Sequence, residues 1–530
     1  MQLEMIKARL CKMLGTSLHE KAASFMAVTS EQTEACVSAA ERRTIQYDSQ
    51  RTRADDSFFA KPATRYLLRI ALLRYCAHNK IQYMQGINEI MAPLLCLGGD
   101  GHNNDCDMHP VDQVGEKALE SSFSISFVLF ERLVGRLAPV LFNEGVQGLQ
   151  SQLASLHLLL YFHDAELATF LSSISMGTDV YAQGWFVTLF ARRAPVGLAL
   201  HVWDLLLSSP EKPHIVVFLG LALLLHSKHK LLCEIPRELI PETLVRLCLD
   251  REGGTEEIDA IFSRALVLEQ RTPTSFVGQI RRVGFDANIS EIGRAALLYD
   301  LMYLPCVTVT AQDMADSLLQ PSPTESAPAK RYLILDCSPD GKIIEGSLHV
   351  SPGVVDEICE SVDNQLAAGE NDSSSPLNHP VLAALWTCRA ENVFLVLCGG
   401  ADTVARPPLT SFQANADPVS AIRHLKRQLA KRANLLPFNQ LAVALLVLGF
   451  SRVSVVRGEG DEMSSSGRDA LVRELIARGA TISGGVLRGV PQDAELTSKL
   501  YALPHTPSKS SLIRLVESTL SRISSFVTKS

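Results

Sequence analysis

The sequence has no CxxC pair, no excess of basic residues and no apolar run long enough to span a bilayer, and each absence removes a class of protein. The 12 Cys are scattered and sit mostly inside apolar runs, as Cys76, Cys96, Cys233, Cys306 and Cys398 do. That spacing reads as buried thiols in a reducing compartment, not a zinc module or a disulfide scaffold, so no metal and no cofactor is expected. Lys and Arg total 50 against 57 Asp and Glu, a net charge of -7, which gives no general drive toward nucleic acid. The greasiest run, Ile215 to Leu225, falls short of the roughly 20 residues a membrane helix needs and reads as a buried helix. The amino terminus, MQLEMIKARLCKMLG, carries Glu4 and lacks a long apolar stretch, so it does not read as a signal peptide. Membrane contact is therefore expected to be peripheral or made through another protein.

What is present is a chain of 530 residues, 47% hydrophobic and 20% charged, which predicts several folded domains. Residues 1–265 read almost wholly as helix. RYLLRIALLRYCA (Arg65 to Ala77), SFSISFVLFERLVGRL (Ser122 to Leu137) and FVTLFARRA (Phe186 to Ala194) show broad apolar faces with charge returning at helical intervals. Cys96 to Gly115, rich in Gly, Asn and Asp, reads as a surface excursion between helices. Residues 266–330 are mixed and end in SLLQPSPTESAPAK, which predicts a linker region.

The texture then changes. RYLILDCS (Arg331 to Ser338) and NVFLVLC (Asn392 to Cys398) are β-prone runs, and LAVALLVLGF followed by SRVSVVRG reads as a helix stopping at Gly449 before a strand. Apolar strands separated by helices predict a largely parallel sheet over residues 331–490. In the tail, 491–530, Ser510 to Val527 has amphipathic spacing. It is either a docking helix or a helix lying on its own domain, and the residues do not choose.

Two short segments are loaded with chemistry. In IQYDSQRT, Arg51 is placed to neutralise transferred phosphoryl charge, with Asp48 orienting it through a paired hydrogen bond; a solvated arginine is the ordinary alternative. In IQYMQGINEIMAPLL, Gln85 and Gly86 stand where the amphipathic pattern changes phase, so Gln85 lies at a helix start or in a tight bend. An amide there can orient a water, or simply cap the helix.

These segments resemble the IxxDxxR and YxQG motifs of the TBC family of Rab GTPase-activating proteins, matched here by Ile45 to Arg51 and Tyr83 to Gly86. A third piece, Trp185 to Leu207, resembles the family's W…LFaR…P…WD segment, with Trp185, Phe190, Arg192, Trp203 and Asp204 falling on it. The resemblance implies an all-α TBC domain in which Arg51 is an arginine finger and Gln85 a glutamine finger for a bound Rab–GTP. Trp185, Phe190 and Trp203 are read as core, and Arg192 with Asp204 as a scaffold pair. The family's opening Arg/Trp motif is not found in residues 1–44, which implies a reduced Rab-facing lobe.

The later residues resemble a degenerate rhodanese domain, giving a multidomain chain in which an all-α TBC domain is followed by an α/β rhodanese-like domain. Asp336-Cys337-Ser338 stands where rhodaneses carry Asp-x-Arg, Gly346-Ser347-Leu348 where they carry Gly-His-hydrophobic, and Cys398 at the nucleophile position. The loop after Cys398 contains Pro407 and Pro408, which lack the N–H groups an anion cradle uses, so sulfurtransferase activity is not expected and Cys398 reads as buried. TBC followed by degenerate rhodanese resembles members of the family that act at the trans-Golgi. This implies an adaptor on the cytoplasmic face, tethering endosome-derived vesicles in retrograde transport, with a golgin and an actin-regulatory complex as partners. Those members lack working fingers, whereas Arg51 and Gln85 are both present here. Two expectations therefore stand side by side: a tethering adaptor, and a Rab GTPase-activating protein with a dual finger.

Overall fold

The computed structural model describes residues 30–97, 124–142, 146–209, 211–247, 254–304, 306–319, 332–338, 344–345, 347–368, 379, 381–382, 385–386, 394–398, 437–457, 467–483 and 486–488. The first described helices are α1 (Ser30–Cys36) and α2 (Ala39–Arg51). α2 starts on a capping box: the Glu41 N–H donates to Ser38 Oγ at 3.2 Å, and the Ser38 N–H donates to Glu41 Oε2 at 2.9 Å. There follow α3 (Pro62–Asn79), α4 (Ile87–Leu95), α5 (Ser124–Leu137), α6 (Val146–His163), α7 (Ala165–Ser173), α8 (Val196–Ser208), α9 (Ile215–His226), α10 (Ile240–Arg246), α11 (Gly254–Arg271), α12 (Thr274–Phe285) and α13 (Glu291–Tyr303). One apolar core joins them, from Val37 to Val307.

α9 is at its centre. Every residue from Ile215 to Leu225 is buried, which is why the helix is apolar all round. With the π turn Lys230–Glu234 it is long and apolar enough to cross a membrane by length and composition. Its burial by α6 and α11 accounts for that composition without a membrane.

The second part is a sheet with helices on both faces. Its elements are β1 (Val307–Thr310), α14 (Ala311–Leu319), β2 (Tyr332–Asp336), β3 (Leu348–His349), α15 (Pro352–Ala368), β4 (Phe394–Cys398), α16 (Pro437–Val447), β5 (Val453–Arg457) and α17 (Gly467–Ala477). The strand order is β1-β5-β4-β2-β3, and every pairing is parallel. Side chains alternate between faces as the pleat requires. Leu333, Leu335, Leu395, Leu397, Val453 and Val455 pack under α15 and α16, while Ile334, Val396, Cys398 and Val456 pack under α14 and α17. A short hairpin, β6 (Thr481–Ser483) with β7 (Val486–Arg488), follows.

One expectation changes. The region 266–330, read as a linker from its Pro and Ser, is folded up to Leu319: the end of α11, then α12, α13, β1 and α14 lie in it. α12 and α13 supply Phe276, Ile280, Val283, Leu298 and Leu301 to the helical core, and β1 supplies an edge of the sheet. The Pro-rich run that suggested a linker begins only after these elements. That run, the excursion after Leu97, the loop after Cys398 and the tail helix all lie outside the described residues.

The two parts share a seam at the α6–α7 corner. Phe162 O accepts from the Arg452 N–H at 2.6 Å, and the Ala165 N–H donates to Ser451 Oγ at 3.1 Å. Thr169 Oγ1 donates to Leu446 O at 3.3 Å. Beside them His163 Nε2 is 2.9 Å from Thr272 Oγ1, whose own proton goes to Leu268 O, so the imidazole carries its hydrogen on Nε2. Burial, with the charges of Arg452 and Arg271 acting in the same direction, lowers the His163 pKa to about 3, and the ring stays neutral.

Candidate functional site

α2 ends on Arg51, three residues past Asp48 and therefore on the same helical edge. Arg51 Nη2 lies 2.6 Å from Asp48 Oδ1, with Asp48 buried and the arginine side chain 61% exposed. The other carboxylate oxygen, Oδ2, accepts from Tyr83 Oη at 2.8 Å. A cation and a phenol thus satisfy a carboxylate that would be costly to bury alone. Burial, reinforced by Asp48, pushes the Tyr83 phenol far above its usual range, so it remains a donor.

Tyr83 opens the turn that carries Gln85. The Ile87 N–H closes it on Met84 O at 3.3 Å, and Gln85 projects from it, exposed. Gly86 sits at φ +113°, and a Cβ there would lie 2.5 Å from Val187 Cγ1, so both conformation and space call for glycine. The Gly86 N–H donates to Asn88 Oδ1 at 3.0 Å. Asn88 Nδ2 donates to Thr52 Oγ1 at 2.7 Å, and Thr52 Oγ1 donates to Asp48 O at 2.6 Å. The bend holding Gln85 and the helix end holding Arg51 are therefore two sides of one buried network.

A third segment closes the site. Leu189, Phe190 and Arg193 have φ of 46°, 64° and 64°, a conformation that costs a non-glycine residue roughly 1–2 kcal/mol. Side chains from elsewhere hold it. Trp203 Nε1 donates to Leu189 O at 2.9 Å, and the Arg53 guanidinium donates to Ala191 O at 2.7 Å and Ala194 O at 2.8 Å. Arg53 Nε also lies 3.6 Å from Glu89 Oε2. Burial raises the Glu89 pKa against the opposing charges of Arg53, Arg192 and Arg51. A half-buried carboxylate thus sits among three arginines, two of them, Arg51 and Arg192, exposed.

Trp185, Phe190 and Trp203 are buried in the helical core, and Trp185 stacks on Phe190 at 6.2 Å between ring centroids. Asp204 is buried on α8, while Arg192 is exposed and bears on Glu89. Arg53, Asn88, Glu89 and Glu41 were not singled out from sequence. Asn88 and Glu89 lie in the same Ile81–Leu95 segment as Gln85, and their two-residue and three-residue offsets from Gly86 are the signal that the sequence offers for them.

Glu41 carries a pH dependence. Its carboxylate caps α2 through Ser38 and accepts the Tyr83 N–H at 3.0 Å. The Ser38 hydroxyl first, then the Tyr83 and Ser38 N–H groups, lower its pKa against the effect of burial. A lowered carboxyl pKa means that this tie is fully present above the unfolded value of about 4.5 and is lost as pH falls through the folded value. Glu41→Gln is expected to remove that acid-side loss while weakening the tie at neutral pH. Amide exchange at Tyr83, followed from pH 7 down to about pH 2, through the lowered folded value, reads both effects.

Cys398 ends β4 with no exposed surface. Burial, then the charges of Asp336 and Cys337, raise its pKa well above the ordinary thiol value, although Arg468 opposes. Asp336 is buried at the end of β2, accepts the Ser338 N–H at 3.1 Å and lies 3.5 Å from Arg468 Nε, an ion pair without a hydrogen bond at that oxygen. A neutral buried thiol is a poor nucleophile. Iodoacetamide at pH 8 is therefore expected to label the exposed Cys36 and Cys233 and leave Cys398 unmodified by peptide mapping. Among the described residues no group of His, Cys, Asp and Glu is arranged to hold a metal ion.

Residues 10–232 match the family model of the Rab-GTPase-TBC domain, so the helical part carries a TBC-type domain that takes in Arg51, Gln85 and the Trp203 helix. The chain is 26% identical over 215 residues to the Homo sapiens TBC domain-containing protein kinase-like protein, covering 39% of this chain and 22% of that relative. It is 26% identical over 186 residues to Mus musculus TBC1 domain family member 17, covering 34% and 25%. Against Mus musculus TBC1 domain family member 5 it is 23% identical over 228 residues, covering 36% and 27%. The chain thus spans about a quarter of the length of these curated relatives. The crystal structure of the Ypt/Rab-GAP domain of Gyp1p aligns with a TM-score of 0.41 and 17% identity, over 48% of this chain and 81% of that one.

Proposed function

We propose that the helical part is a Rab GTPase activator in which Arg51 acts in trans on the nucleotide and Gln85 holds the attacking water. The observation that carries this reading is the pairing of exposure with support. Both side chains reach solvent, while the groups that position them, Asp48, Thr52 and Asn88, are buried in one network. An exposed guanidinium resting on one carboxylate can turn to phosphoryl oxygens while the Tyr83 phenol keeps its hydrogen bond to Asp48. The Gln85 amide, on the bend tied to the same network, supplies a donor and an acceptor to a water. Such groups stabilise charge that develops only in the transition state. The test is single-turnover GTP hydrolysis across a panel of Rab GTPases. Acceleration of at least one supports the reading, and a folded, Rab-saturating chain that leaves every member at its intrinsic rate overturns it.

A second reading is favoured by the α/β part. Cys398 is buried and neutral, and α16 with the loop after it shares hydrogen bonds with the helical part along α7. That suits a module serving as surface rather than as an enzyme. It fits the resemblance of the sequence to TBC domain family member 23 and a degenerate rhodanese, and so an adaptor at the trans-Golgi that binds a golgin, engages an actin-regulatory complex and tethers endosome-derived vesicles. Recruitment of the purified chain to golgin-coated beads tests it, and no retention on any trans-Golgi golgin sinks it.

A further inference from the structure

Single apolar side chains on a surface are ordinary; position is what gives one meaning. Among the large hydrophobics exposed in the described residues Tyr47 is the one aromatic, at 66% exposure, and it stands on α2 one turn before Arg51. Arg43 is exposed one turn earlier still, so Arg43, Tyr47 and Arg51 form an i, i+4, i+8 stripe along the outer edge of the helix. The far side of the helix buries Ile45 and Ser49, with Asp48 between that side and Arg51, which fixes the direction the stripe faces.

We infer that this stripe is the docking edge for the GTPase and that Tyr47 is its anchor; the inference rests on the activator reading above. The helix geometry leaves little freedom. Four residues rise about 6 Å, so Tyr47 lies about 6 Å and Arg43 about 12 Å along the helix from Arg51, within the footprint of a protein partner that brings a phosphate to Arg51. The occupant is therefore a GTP-loaded small GTPase with an apolar hollow beside its nucleotide and an acidic side chain beyond it. Tyr47 fills the hollow, and Arg43 meets the acid. Tyr is among the residues that most often dominate an interface, because a rigid ring buries much area at small entropic cost. Arg43, at the rim, acts on encounter and on partner choice. Tyr47 and Arg43 thus set which GTPase reaches Arg51 without taking part in hydrolysis.

The test measures binding separately from hydrolysis. Wild type, Tyr47→Ala, Tyr47→Phe, Arg43→Glu and Arg51→Ala are titrated against the Rab panel loaded with a non-hydrolysable GTP analogue. Single-turnover rates are measured at saturating activator. Tyr47→Ala is expected to weaken Kd by about 30-fold with the saturated rate held within twofold, and Tyr47→Phe to bind like wild type. Arg43→Glu is expected to lower the association rate and flatten its salt dependence. Because Tyr47 is exposed, an unchanged melting curve for Tyr47→Ala keeps the result interpretable. Binding by Tyr47→Ala within twofold of wild type overturns the inference, whatever the hydrolysis rates. If no GTPase is accelerated yet Tyr47→Ala still loses binding, the docking edge stands and the catalytic reading falls. A panel in which no GTP-loaded member binds wild type overturns both.

Discussion

Arg51→Ala is expected to lower the accelerated hydrolysis rate by about 10³-fold, with binding of the GTP-loaded GTPase little changed. The reason lies in where Arg51 rests. Its guanidinium is exposed and touches Asp48 through one edge, so removing it leaves the buried carboxylate its Tyr83 hydrogen bond without the cation, and a lower melting temperature is expected beside the lost rate. Arg51→Lys is expected to recover little, since an ammonium cannot span two phosphoryl oxygens in a plane. Gln85→Ala is expected to cost about 10²-fold, the scale for losing one transition-state donor. The double variant is expected to fall no further than Arg51→Ala alone, because the two groups act on one transition state and their losses do not add. Single-turnover measurements at saturating activator separate these outcomes, and equal rates for wild type and Arg51→Ala would falsify the assignment of Arg51.

Gly86→Ala is expected to damage both stability and rate. Two costs fall on the same atom. At φ +113° an L side chain is strained by roughly 1–2 kcal/mol, and the new Cβ would sit 2.5 Å from Val187 Cγ1, which must move. Val187 is buried in the core, so the bend yields instead, and Gln85 moves with it. A displacement of about 1 Å at a catalytic amide costs on the order of 10²-fold in rate. The apparent Tm of the helical part should fall by several degrees, as about 2–3 kcal/mol would produce. Pairing Gly86→Ala with Val187→Ala relieves the contact but not the backbone strain, so partial recovery of rate is expected. Full recovery would mean that packing, not backbone conformation, holds Gln85 in place.

How much of this was legible in the sequence depends on the range of each interaction. The Asp48–Arg51 pair is local, three residues along one helix, and its spacing announces it. The bend at Gln85 is likewise local, because Gly86 breaks an apolar pattern. The strands Tyr332–Asp336, Phe394–Cys398 and Val453–Arg457 lie inside the runs whose composition predicted them. Arg53 was silent for the opposite reason. Its acceptors are backbone carbonyls 138 and 141 residues away, and a carbonyl has no sequence signature. The stretch 266–319 reads as linker because its helices are short and amphipathic and the Pro and Ser beyond them dominate the composition. Val307–Thr310 is only four residues, too short for a period to declare itself.

That short strand has a consequence for how the chain is made. Among the described residues β1 pairs with β5 alone, Val307 opposite Ser454, so it leaves the ribosome long before its partner exists. At typical elongation rates about 150 further residues take roughly 10–30 s to synthesise. For that interval Val307–Thr310 hangs from the finished helical core as an open edge, the kind of surface that recruits the wrong strand. The order of synthesis therefore assigns the newborn chain a waiting period that the finished chain, refolding from full length, would not have.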